Sequence, residues 1–221
     1  MSDLTVVVPS RGRPEAIAEL REAFVQTGAT AELLVVLDED DPRLSEYSRE
    51  DLSLVVESSG MVNALNAGAK LAARLSIFVG FLGDDHRPRT PGWDRRLRET
   101  LERIGTGFVY GNDLLQGEAM PTAVAMTSDV VFALGYMAPP ALTHLNVDIA
   151  WLEWGRALDR IVYLEDVVIE HLHPANGKAE LDEGYLRVNS QEMVARDGEA
   201  WAAYVAGGLE GDLDKLRGLL R

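Results

Sequence analysis

Four short runs of aliphatic and β-branched residues, each ending abruptly in a polar cluster, set the tightest limit on how this chain can fold. "LTVVV" (4–8) is stopped by Pro9, and "ELLVVLDEDDP" carries its apolar run into Asp38, Glu39, Asp40 and Asp41. "LSLVVESS" leads to Glu57, Ser58, Ser59 and Gly60, and "SIFVGFLGDDH" ends in Asp84, Asp85 and His86. Apolar runs of this length bounded by turn residues read as strands buried on both faces. Helical patterns lie between them. "RPEAIAELREAFVQTG" spaces Ile17, Leu20 and Phe24 three and four apart, with Pro14 near the start and Gly28 at the end. "GMVNALNAGAKLAARL" puts Val62, Leu65, Ala69 and Ala72 on one face. "TPGWDRRLRETLERIG" does the same with Trp93, Leu97, Leu101 and Ile104, with Thr90 as predicted N-cap and Pro91 as first helical residue.

Strand and helix alternate to about residue 105, which predicts an α/β fold with a mostly parallel central sheet flanked by helices. The order then loosens through "GFVYGNDLL", "PTAVAMTSDVVFALGYM", "HLNVDIAWLEWGRALD" and "IVYLEDVVIEHLHP". Residues 1–174 read as one domain and 175–221 as its C-terminal extension. The stretch 175–187 lacks a clear period and is expected to form a mobile loop. The tail, including Lys178, Asp182, Tyr185 and Trp201, is expected to pack over the site or mediate assembly, and a lid that closes over the site is one form of that.

Composition excludes several classes. The 221 residues contain no cysteine, so disulfides, thiolate ligands and a cysteine nucleophile are ruled out. No apolar run approaches the roughly 20 residues of a membrane span, and the first residues lack the pattern of a signal peptide. The expectation is a soluble, cytoplasmic protein. Acidic residues outnumber basic ones by 36 to 21, for a formal charge of −15, which repels a phosphate backbone. Two arginine clusters, Arg11 and Arg13, then Arg87, Arg89, Arg95, Arg96 and Arg98, leave a local basic patch open.

Parallel sheets bind ligands outside the carboxyl ends of their strands. The four polar clusters should therefore converge on one edge. Asp84, Asp85 and His86 offer oxygen and imidazole ligands suited to a divalent cation, although read alone they also suit a polar turn. His171 and His173 lie two apart on a predicted strand and so share a face. Such a pair is either structural or metal-binding, and a carboxylate cluster at a strand end favours the shared metal site.

In order and spacing, "VVVPSRGRP", "VVLDEDDP", "GMVNALNAGAKLA", "FLGDDHRPRTPGWD" and "LNVDIAWLEWGRALDRIVYLEDVVIEHLHP" resemble the landmarks of inverting GT-A glycosyltransferases of the family-2 type, with a resemblance to small bacteriophage-encoded members. The resemblance covers about residues 4 to 174. It implies a GT-A (Rossmann-like) fold with an acceptor-side C-terminal extension. It also implies metal-dependent transfer of a sugar, with inversion, from a nucleoside diphosphate sugar (UDP-sugar favoured) to a hydroxyl. Pro9, Ser10, Arg11 and Arg13 would hold the sugar nucleotide, Asp38 the nucleobase or ribose, and Gly60, Asn63 and Asn66 would lie beside the nucleotide. Asp84 would face ribose or sugar. Asp85, His86, His171 and His173 are the implied ligands of Mn²⁺ or Mg²⁺, and Asp148 is the implied catalytic base. The family form at that point is usually Glu-Asp, whereas this chain has Val147-Asp148. Asp148 also suits a helix N-cap, and Asp113 is the alternative acidic residue. Trp151 and Trp154 are either core or a sugar-stacking platform.

Two other readings compete. A nucleotidyltransferase acting on sugar phosphates would need a glycine-rich first loop, and "PSRGRPEAI" has one glycine. A non-catalytic sugar-nucleotide-binding module is the other. The acceptor stays open among a virion protein, a modified DNA base and a glycan.

Overall fold

Alternation along the first strand sets up the layers. In the computed structural model, which describes residues 3–48, 52–181 and 183–220, strand β1 is Leu4–Ser10. Leu4, Val6 and Val8 face one apolar cluster and Val7 faces another, as the period of two dictates. Pro9 does not end the strand. It stays in register opposite Val36.

The further strands are β2 (Glu32–Asp38), β3 (Leu52–Val56), β4 (Phe78–Phe81), β5 (His86–Pro88), β6 (Phe108–Asn112), β7 (Val124–Thr127) and β8 (Ile161–His171). Among the described residues they form one sheet in the order β3-β2-β1-β4-β7-β6-β8-β5. Only β7 and β5 run against the rest, so the sheet is mostly parallel, with the strand order reversing beside β1 and β4. The helices are α1 (Pro14–Gln26), α2 (Met61–Leu75), α3 (Trp93–Ile104), α4 (Ser128–Leu134), α5 (Val147–Leu158), α6 (Glu183–Val188), α7 (Gln191–Gly207) and α8 (Leu209–Gly218). One face of the sheet packs Ile17, Leu20 and Phe24 of α1 with Trp93, Leu97 and Leu101 of α3. The other face receives Leu65 and Ala69 of α2, Val130 of α4, Trp151 and Trp154 of α5, and Leu213 and Leu216 of α8.

The two layers meet the sheet closely at α2. A Cβ on Gly68 would lie 2.5 Å from Val7 Cγ1 and 2.6 Å from Val36 Cγ2. Gly68→Ala is therefore expected to wedge α2 away from β1 and β2 and to lower stability by about 1–3 kcal/mol. A urea unfolding series should show this as a lower midpoint at unchanged slope.

Other sequence expectations are corrected too. Helix α3 starts at Trp93, with Gly92 in the left-handed region at φ 67° as its N-cap. Thr90 does not cap it. Its hydroxyl accepts from Val168 N (2.8 Å) and donates to Asp166 O (3.3 Å), stitching the loop to β8. The predicted fourth strand ends at Phe81, and His86 begins a separate strand that pairs antiparallel with β8. His173 lies beyond the end of β8, at the cap of a short 3₁₀ turn over Pro174–Asn176.

The segment after that turn is not structureless. It holds α6, although Asp182 lies outside the described residues. Beyond it, Tyr204 Oη of α7 donates to Asp212 (2.8 Å) and accepts from Trp154 Nε1 (2.9 Å). No helix among the described residues is long and apolar enough to cross a membrane.

Candidate active site

The carboxyl ends of the parallel strands open into a cavity of about 1130 Å³. Its walls include Pro9, Ser10, Arg11, Arg13, Asp38, Gly60, Asp84, Asp85, His86, Asp148, His171 and His173. Twelve of the fourteen residues singled out from the sequence thus meet in one place. Asn63 and Asn66 do not. Asn63 is exposed and donates to Glu57 O (3.1 Å). Asn66 is buried, and its carboxamide is consumed by the backbone of the loop before α5. It accepts from Met137 N (2.8 Å) and Ala138 N (2.9 Å) and donates to Ala138 O (2.9 Å).

The first loop is held by side chains from three strand ends. Arg11 donates to Asp38 (3.0 Å), to Asp40 and to Ser58 Oγ (3.4 Å), linking the ends of β1, β2 and β3. Asp84 is buried, with Ser10 Oγ on one carboxylate oxygen at 2.8 Å and Arg13 on the other at 3.1 Å. Burial and then the Asp85 charge push the Asp84 carboxyl up, against the pull of Arg13 and Ser10. Sequence reasoning missed one organiser of this loop, Tyr47, and gave Asp41 no role beyond membership of a polar cluster. Tyr47 Oη accepts from Arg13 N (2.9 Å), and Asp41 accepts from Gly12 N (2.7 Å) and Arg43 N (2.8 Å). Tyr47 leaves no local sequence signal, because its partner lies 34 residues away, and Asp41 reaches Gly12 across 29 residues.

The turn carrying Asp85 and His86 is braced from behind. Buried Arg87 donates to Asp84 O (2.7 Å), His86 O (2.8 Å) and Glu19 (2.7 Å). Gly83 is required in front of it, since a Cβ there would stand 2.4 Å from Asp85 Oδ1 and 2.9 Å from His86 Nδ1. Pairing of β5 with β8 places His86 opposite His171, and the two rings stack with centroids 4.3 Å apart. Asp85 Oδ2 then meets His171 Nε2 at 3.3 Å. Burial would raise the Asp85 carboxyl, but hydrogen bonds from His171 and His86 hold it well below the usual range. Burial would lower His171, but the Asp85 hydrogen bond and charge raise it, whereas burial leaves His86 lowered.

Asp85, His86 and His171 each offer a ligand atom within 4.8 Å of the others. The chemistry of these atoms fits a divalent cation. His86 Nδ1 lies 3.0 Å from Gly83 N and 3.1 Å from Asp85 Oδ1. A carboxylate oxygen set among imidazole nitrogens is a donor set that such an ion accepts. His86 Nε2 and His171 Nδ1 are buried with no hydrogen-bond partner. His173 stands outside this group. Its Nδ1 accepts from Ala175 N (3.1 Å), and its ring packs edge-on to His171 and to Tyr185.

Asp148 sits in the first turn of α5 but does not cap it, because Asn146 takes that position at φ 66°. Asp148 Oδ1 accepts from Ile149 N (2.9 Å), and burial raises its carboxyl despite that bond. Asp113 is consumed elsewhere. One oxygen accepts from the amides of Leu115 (2.9 Å), Gln116 (2.7 Å) and Gly117 (2.8 Å), and the other from Thr122 (2.8 Å). Trp151 and Trp154 are fully buried, with indole N–H groups bonded to Met137 O and Tyr204 Oη, so they serve the core. The arginine clusters form no free basic patch. Arg87 pairs with Glu19, Arg89 with Glu170, Arg96 with Asp166 and Arg98 with Asp94. The cavity wall also includes His144, which the sequence alone did not single out.

No family model and no curated protein matches the sequence. Solved structures do match the fold. The mannosyltransferase PcManGT from Pyrobaculum calidifontis, solved with GDP-Man and Mn²⁺, superposes with a TM-score of 0.57 at 16% identity, over 93% of this chain and 76% of that one. Glucosyl-3-phosphoglycerate synthase from Mycobacterium tuberculosis, with Mn²⁺, UDP and phosphoglyceric acid, gives 0.59 at 16% identity, over 89% and 78%. CMP:2-keto-3-deoxy-manno-octonic acid synthetase with CTP gives 0.50 at 12%, over 75% and 91%. The chain therefore has the GT-A-like α/β fold of nucleotide-sugar transferases. None of these likenesses carries the bacteriophage resemblance.

Proposed function

We propose that this protein is a metal-dependent glycosyltransferase that moves a sugar from a nucleoside diphosphate sugar, with UDP-sugars favoured, to a hydroxyl acceptor with inversion. The observation that carries this reading is the Asp85–His86–His171 cluster, set in the same cavity as Asp148 and the Arg11–Asp38 and Arg13–Asp84 pairs. Mn²⁺ in GDP-Man and UDP complexes of two proteins of the same fold supports it.

In this reading Asp38 and Arg11 take the nucleoside end, and Arg13 supplies positive charge toward the diphosphate. Asp85, His171 and His86 would hold a divalent ion, which when bound neutralises charge on the departing diphosphate. Asp148 accepts the acceptor hydroxyl proton as that oxygen bonds to the anomeric carbon. The anomeric C–O bond to phosphate breaks on the opposite face, and the nucleoside diphosphate leaves with its electron pair. Burial raises the Asp148 carboxyl above its ordinary value, which makes it a better proton acceptor.

The reading is tested by titrating the protein with UDP, GDP and their sugar conjugates, with and without Mn²⁺. At least one is expected to raise the melting temperature in a metal-dependent way, and its sugar conjugate to be slowly hydrolysed to the nucleoside diphosphate. No stabilisation by any of them would overturn the reading. Pyrophosphate release from a nucleoside triphosphate and a sugar phosphate would replace it with nucleotidyl transfer. That alternative is disfavoured by a first loop that presents arginine side chains where such chemistry wants a run of glycine amides.

A further inference from the structure

A fully buried carboxylate lies outside the region of family resemblance, in α7 of the C-terminal extension. Asp197 is fully buried, at 0% exposure. One carboxylate oxygen accepts from Thr143 N (3.0 Å), and the other from His144 N (2.7 Å) and Leu145 N (2.7 Å). Its backbone carbonyl accepts from Asn146 Nδ2 (3.1 Å). Four consecutive residues are thus tied to one side chain and its own peptide group.

Those four residues run directly into α5 and Asp148. Asn146 holds the left-handed conformation at φ 66° that starts the helix, a state costly for a residue other than glycine unless its surroundings fix it. The same loop reaches the nucleotide side. Thr143 O accepts from Val62 N (3.1 Å), and a Cβ on Gly60 would meet Thr143 Cγ2 at 2.7 Å. His144, between the two, faces the cavity.

We propose that Asp197 is a positioning residue for sugar transfer: it locks the 143–146 loop so that Asp148 and His144 stand at the acceptor side of the donor site. The proposal rests on the glycosyltransferase reading given above. It gives the C-terminal extension a part in placing Asp148, since α7 supplies the anchor. Replacing one carboxylate oxygen by an amide N–H leaves the Thr143 amide, or those of His144 and Leu145, facing a donor where an acceptor stood. The loop then samples orientations in which Asp148 is misplaced, and sub-ångström placement is what transfer depends on.

The test uses full-length Asp197→Asn, with Tyr204→Phe as a control that removes hydrogen bonds of α7 to Trp154 and Asp212 without touching the 143–146 loop. Three quantities are read: amide hydrogen exchange over 143–148, affinity for UDP and GDP with Mn²⁺, and turnover of the donor identified by the titration. For Asp197→Asn the expected result is at least tenfold faster exchange at Thr143, or at His144 and Leu145, whichever side meets the new amide N–H. Nucleotide affinity should stay within about twofold, and kcat should fall about 10- to 100-fold with KM for donor little changed. Tyr204→Phe should keep turnover within about threefold. The proposal is overturned if exchange rises while kcat holds, if exchange does not change, or if nucleotide affinity falls in step with kcat. Equal loss in Tyr204→Phe also overturns it, as general destabilisation. Should the unmodified protein bind neither nucleotide, the glycosyltransferase reading fails, while exchange over 143–146 still reports whether Asp197 holds the loop.

Discussion

Asp85→Ala is expected to abolish Mn²⁺-dependent stabilisation by nucleotide and to lower turnover about 10³-fold, the scale of several kcal/mol of charge stabilisation at the departing diphosphate. The reason is local. Asp85 is the member of the cluster that touches both histidines, with Oδ1 3.1 Å from His86 Nδ1 and Oδ2 3.3 Å from His171 Nε2. Removing it leaves two stacked imidazoles without the carboxylate that joins them, and imidazoles alone bind Mn²⁺ poorly compared with a set that includes oxygen. The backbone of the turn should survive, since Arg87 braces the carbonyls of Asp84 and His86 without using the Asp85 side chain. His173→Ala supplies the contrast. Its ring nitrogen already accepts from Ala175 N, so the expected loss is less than about tenfold. Mn²⁺ titration followed by electron paramagnetic resonance reads both variants without relying on turnover. Unchanged Mn²⁺ affinity in Asp85→Ala would remove the cluster from consideration as the metal site.

That cluster also shows which parts of the molecule were legible in the sequence. The strand ends were, because an apolar run that stops in carboxylates or arginines needs no long-range information to place on a sheet edge. Asp85 and His171 are 86 residues apart, and the antiparallel pairing of β5 with β8 that unites them depends on a three-residue strand too short to announce itself. Asn66 misled for the converse reason. Its position near the start of α2 fits a nucleotide contact, but its carboxamide meets a loop 72 residues away. Thr90 has the composition of a cap and spends its hydroxyl on β8. Asp197 was invisible, since one acidic residue among 36 on a polar helix has no local mark of burial. In each case the local pattern was sound, and a tertiary partner decided what the side chain does.

Asp148→Asn should separate binding from chemistry. The substitution keeps shape and the hydrogen bond from Ile149 N, but the amide cannot take a proton from an attacking hydroxyl. Nucleotide and Mn²⁺ affinities are expected to stay within about twofold, while kcat falls about 10²- to 10⁴-fold. The pH profile supplies a second signature. Burial raises the Asp148 carboxyl in the folded protein, and its basic form is the active one. Activity should therefore fall as pH drops through a value above the roughly 3.9 of an unperturbed aspartate. The residual activity of Asp148→Asn should lack that acidic limb. Two titrating neighbours need control. Asp84 is also raised, and it is engaged by Ser10 and Arg13, so its protonation would weaken donor binding and appear in KM. His171, raised by Asp85, would appear in Mn²⁺ affinity. A limb confined to kcat at saturating donor and Mn²⁺ belongs to Asp148. If that limb persists in Asp148→Asn, the proton is accepted by another group, and the assignment of the base falls while the metal and donor halves of the site stand.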